Sequence, residues 1–129
     1  MIIENDRFVK PMEAQISQQQ EMDICNFLKG CVFCWCKNKI DSSGNHEWFS
    51  LPAFMGKENY YWNDTPLIEL WKYYSNQGLS DDEAVEKAKF DAGWLLKKVV
   101  LNARRSFHTR KQGANAREYQ WDGNTNNDC

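Results

Sequence analysis

The sequence has no apolar run that approaches the roughly 18 residues of a membrane-spanning helix. Its start, MIIENDRFVK, carries acidic side chains before any apolar stretch, unlike a secretory signal. These absences predict a protein that does not enter membranes and that resides in the cytoplasm.

Catalytic signatures are also missing. The chain has no phosphate-binding glycine loop, no G-x-S-x-G turn and no H-E-x-x-H helix, and we identify no family signature. Only two histidines are present, His46 and His108. Two imidazoles near arginines could cleave RNA by acid–base chemistry, but nothing in the sequence places them together. An RNA-cleaving enzyme is therefore the third hypothesis, and no cofactor is expected.

The cysteines do not follow a disulfide pattern. There are five, an odd number, and four of them fall between positions 25 and 36, which favours reduced thiols. Together with one histidine they supply enough ligands for zinc. That set is Cys25, Cys31, Cys34, Cys36 and His46. Structural zinc sites typically use two separated pairs, whereas the spacing here is C-x5-C-x2-C-x-C, so we predict buried thiols and no metal.

What is present predicts a folded protein. The chain has 129 residues, of which 42% are apolar and 14% aromatic, with six tryptophans. That is enough large apolar surface for one core, so residues 1–129 are predicted to be a single domain. Residues 1–10 and 122–129 are expected to be frayed ends.

Local patterns predict an α+β fold, in which a small antiparallel sheet or hairpin packs against three helices. A first helix is expected from Pro11 to Leu28, ended by Gly30. The aromatic, β-favouring run after it predicts strands near 31–37 and 46–51, followed by an ordered loop over 52–64.

The second half of the chain has clearer helix signals. Thr65 and Pro66 open a helix that runs to Gly78. Ser80 and Glu83 form a capping box at the start of a long amphipathic helix over about 81–105. A loop and a last strand at 117–121 are expected to follow.

Charge is unevenly distributed. Residues 1–93 hold 9 Lys/Arg and 15 Asp/Glu, whereas residues 94–117 hold 7 Lys/Arg and no acid. On the long helix, one apolar stripe faces the core, and a second stripe mixes aromatic and basic groups. This second stripe comprises Phe90, Trp94, Lys97, Leu101, Arg104 and His108.

Three interpretations of the second stripe stay open: a buried helix face, a protein-interaction or homodimer surface, and a nucleic-acid surface. The acid-free segment makes nucleic acid the leading partner, and an acidic protein surface is the alternative. The predicted binding residues are Phe90, Trp94, Lys97, Lys98, Leu101, Arg104, Arg105, His108, Arg110 and Lys111.

Overall fold

Four helices and one two-stranded antiparallel sheet form the fold in a computed structural model, which describes residues 1–55, 62–111 and 116–125. The elements are α1 (Gln18–Asn38), α2 (Leu51–Phe54), α3 (Ile68–Asn76), α4 (Asp81–Leu101), β1 (Arg105–Arg110) and β2 (Glu118–Thr125). The predicted α+β class is confirmed, and the fourth helix is the four-residue α2.

The predicted strand at 31–37 is wrong, because α1 continues through Gly30 to Asn38. Its buried residues recur every four positions, which is the period of one helix face. They are Ile24, Leu28, Val32 and Cys36. The helix also begins later than the predicted start at Pro11. Its first residue is Gln18, and Ser17 and Gln20 form a complete capping box there.

The sheet lies at the C-terminal end of the chain. β1, a segment predicted to be loop, pairs with β2, which contains the predicted strand at 117–121. Phe107 lies opposite Trp121, and Thr109 lies opposite Tyr119. The predicted strand at 46–51 reduces to isolated bridges, Ile40 with His46 and Phe49 with Tyr119, and its last residue begins α2.

α4 is the central helix and packs against both α1 and α3. Its predicted start is confirmed, since the Ser80 hydroxyl accepts a hydrogen bond from the Glu83 amide at 3.2 Å. The small side chains of Ala84, Ala88 and Ala92 are fully buried along the predicted core stripe. α4 ends at Leu101, because the chain turns there to begin β1.

The described parts of both chain ends make backbone contacts with the fold, and fraying of residues 1–10 and 122–129 stays a prediction. Residues 1–16, the N-terminal arm, belong to no helix or named strand, and Ile2 is only 2% exposed. Ile2 bridges Phe107 in parallel, and the Ile3 amide donates to the Phe107 carbonyl at 2.8 Å. Residues 122–125 belong to β2, while 126–129 lie outside the described residues.

Part of the predicted 52–64 loop, residues 56–61, also lies outside the described residues. Of the helices in the described part of the chain, none combines the length and apolar character that a membrane crossing requires.

Candidate functional site

The N-terminal arm contacts Trp94 and Lys97 of the second stripe, and the stripe ends with α4 at Leu101, so Arg104 and His108 are not part of this helix face. Asp6 accepts a hydrogen bond from the Lys97 ammonium at 2.6 Å and also pairs with Arg117 at 3.0 Å. The Lys97 side chain is only 4% exposed as a result. The Lys97 hydrogen bond lowers the pKa of Asp6, so this carboxylate is well suited to balance a buried ammonium. Lys97, a predicted ligand contact, is therefore enclosed by the protein's own chain.

The aromatic residues of the stripe remain partly accessible. Trp94 packs edge-on against Phe8 of the arm, with ring centroids 5.7 Å apart. Phe90 is 69% exposed, and with Trp94 it borders a cavity of about 260 Å³. Three of the charged groups at this cavity pair with one another, since Glu13 lies 3.9 Å from Lys10 and 3.8 Å from Lys87. Leu101 is half-buried at the end of the helix.

Three other predicted basic residues also contact a carboxylate of the same chain. Lys98 pairs with Glu21 at 2.9 Å, and Arg110 pairs with Glu118 at 2.7 Å. His108 contacts Glu4 at 3.0 Å. The acids come from segments outside the acid-free stretch, so its charge is largely balanced once the chain folds. Arg104 and Lys111 are exposed, before and after β1 respectively.

Arg105 differs from these residues. Its guanidinium carbon lies 5.1 Å from the ring centre of Phe33 and 5.2 Å from that of Trp121. Within the described residues it has no carboxylate partner, and its buried Nε has no hydrogen-bond acceptor. His46 packs on the same Trp121 ring at 4.5 Å, and the Lys37 ammonium lies 5.7 Å from Phe33. We name these five residues the Arg105 cluster.

Three residues of the Arg105 cluster, Phe33, Lys37 and Arg105, come from two acid-free stretches of the chain, whereas His46 and Trp121 come from outside them. Residues 24–40 contain lysines but no Asp or Glu, as do residues 92–117. On α1, Lys29, Phe33 and Lys37 are spaced four residues apart, which places them on one helix face. All three are exposed, and across the described ranges neither lysine makes an ion pair. The lack of acids over 24–40 is the sequence signal that would have predicted this surface.

The structure does not assemble the zinc set. No group of three or more His, Cys, Asp and Glu residues that could hold a metal occurs among residues 1–55, 62–111 and 116–125. The four described cysteines are free, and burial raises the pKa of Cys36 to about 11. The absence of bound zinc stays a prediction.

The two histidines also have different surroundings. His46 contacts Trp121, whereas His108 contacts Glu4, so the described geometry does not present them as one acid–base pair. Comparison with family models, with curated proteins and with solved structures finds no match for this chain. Functional inference therefore rests on its own residues.

Proposed function

We propose that this chain is a non-catalytic nucleic-acid-binding protein whose contact surface is the Arg105 cluster with Lys29 of α1. The observation that carries the proposal is the position of Arg105 between two aromatic rings, with no carboxylate partner in the described structure. The guanidinium of such an arginine can pair with a phosphate, because no carboxylate of the described structure neutralises it.

Local charge supports the same surface. The whole chain has a formal net charge of −2, so binding to a polyanion requires a region from which acids are excluded. The contact between residues 24–40 and 92–117 provides such a region. The paired lysines of α4 do not, since a phosphate would have to displace their carboxylates. The four free cysteines are consistent with our further proposal of a cytoplasmic location.

A salt titration tests this function. Fluorescence anisotropy with a labelled oligonucleotide should give an affinity that falls steeply with salt, by a log–log slope of about 0.7 to 0.9 per phosphate contact. Lys37→Ala should weaken binding and flatten the slope by about one such contact. Lys72→Ala, an exposed α3 lysine beside Glu69, makes the same charge change as a control.

If Lys37→Ala and Lys72→Ala lose the same amount of oligonucleotide affinity, net charge alone drives binding. No measurable binding of any oligonucleotide at low salt would show the proposal to be wrong.

A protein partner or a second copy of the chain is the other candidate function, favoured by the exposed rings of Phe8 and Phe90 beside Trp94. On this hypothesis, Phe90→Ala should reduce the mass observed by sedimentation velocity at high protein concentration. A wild-type chain that remains monomeric at all concentrations would exclude the homodimer.

A further inference from the structure

Phe33 is the exposed aromatic residue of the Arg105 cluster, whose other rings, His46 and Trp121, are half-buried. It remains 49% exposed although Arg105 and Lys37 both lie within 6 Å of its centre. Arg105 is half-buried between Phe33 and Trp121, so the ring is supported from within the protein. Aromatic side chains placed like this stack on nucleobases, but a duplex offers no free base face for stacking.

Gly30, one turn before Phe33, provides an independent observation. Glycine in a helix interior is destabilising, and α1 continues for eight residues beyond it. A Cβ atom at this position would meet nothing within 4 Å, so no neighbour among the described residues requires a glycine there. Gly30, Phe33 and Lys37 follow the i, i+3, i+7 pattern of one helix face. An absent side chain beside an exposed ring leaves room for a ligand to approach the helix backbone.

We infer that the nucleic acid bound here is single-stranded, with one unstacked base on Phe33 and its sugar–phosphate chain crossing α1 at Gly30. Lys29 and Lys37 lie about 6 Å along the helix axis on either side of Phe33. Their long side chains therefore contact phosphates before and after the stacked nucleotide. This inference rests on the proposed nucleic-acid function and specifies the ligand of the same surface.

The first test compares a single strand with a duplex of the same sequence and label, at one salt concentration, by anisotropy. The wild-type chain should bind the single strand more tightly. Phe33→Ala should reduce single-strand affinity by about 5- to 150-fold, the range for loss of one base–aromatic stack. Phe33→Leu keeps an apolar side chain against Arg105, so its melting temperature should equal that of the wild type. Its affinity for the single strand should still fall. Phe90→Ala removes a more exposed ring and should leave affinity unchanged.

The second test uses two glycines. A Cβ atom added at Gly93 in α4 would also meet nothing within 4 Å, so Gly93→Ala is a matched control for Gly30→Ala. Both substitutions should raise the melting temperature, because alanine favours helix. Only Gly30→Ala should weaken single-strand binding. A purely structural role for Gly30 cannot combine higher stability with lower affinity.

The outcomes separate the two proposals. If the wild-type chain binds neither form of oligonucleotide, the nucleic-acid function itself is wrong. If it binds single strand and duplex equally, and Phe33→Leu and Gly30→Ala bind like the wild type, nucleic-acid binding stands and the single-strand inference is wrong.

Discussion

Lys97 was predicted to bind a ligand, but its partner in the structure, Asp6, gives it a structural role. In the sequence it lies in a basic segment, and in the structure it is buried against Asp6. Removing one member of a buried ion pair leaves the other charge uncompensated, which costs more than replacing the pair with apolar groups. Lys97 therefore stabilises the fold, through its ion pair with Asp6, which is 91 positions away in the sequence.

Asp6→Asn should consequently lower the free energy of unfolding by about 3 kcal/mol. Lys97→Met should have a much smaller effect, because Met fills the same space, and Asp6 is 29% exposed and keeps Arg117 as its partner. Urea denaturation at neutral pH measures both. Similar losses for the two variants would mean that an unpaired Lys97 ammonium costs no more than the loss of the ion pair itself.

The same carboxylate gives stability a pH dependence. Because the Lys97 hydrogen bond and the nearby Arg117 lower the pKa of Asp6, its contribution is complete above the ordinary aspartate pKa of about 4. That contribution is lost as the pH falls through the lower, folded-state pKa. The unfolding free energy of the wild-type chain should therefore fall more steeply below about pH 4 than that of Asp6→Asn. Parallel curves would show that other carboxylates dominate.

At the scale of elements, the start of α4 was predictable because its signal is local. The Ser80 hydroxyl accepts from the Glu83 amide, as the capping pattern predicts. The Glu83 carboxylate accepts from the Ser80 hydroxyl at 3.0 Å, whereas in a capping box it accepts from the Ser80 backbone amide. Ser80→Ala should lower stability by about 1 kcal/mol, measured by thermal unfolding, and Ser80→Asp should restore most of it. An unchanged melting temperature for Ser80→Ala would mean that water satisfies the first turn equally well.

The second half of α1 and strand β1 were not predictable in the same way. Residues 31–36 favour strands locally, and Gly30 resembles a helix end, but burial of Val32 and Cys36 against the core keeps this segment helical. β1 depends on β2, which follows it in the chain, and on Met1 to Ile3, which are remote in the sequence. Local propensity carries little information about such pairings.

At the scale of the whole molecule, the sequence indicated where cations are concentrated but not which of them the fold would neutralise. The acids that pair with Lys97, Lys98 and Arg110 come from three separate segments. Of the predicted binding residues, Arg105 is the one that carries the proposed site. Because the local pattern places Phe33 in a strand, its alignment with Lys29 and Lys37 on one helix face could not be derived.

The N-terminal arm also has a consequence for synthesis. Its partners, Asp91, Lys97 and Phe107, lie near the opposite end of the chain, so its contacts have very large sequence separation. On the ribosome, residues 1–16 emerge long before these partners, and their set of partners is complete only when α4 and then β1 have been released. Because such long-range contacts close late, the arm should dock after α1, α3 and α4 have formed. Ile2 and Phe8 therefore spend most of translation in water, at the stage when a growing chain is most prone to aggregate.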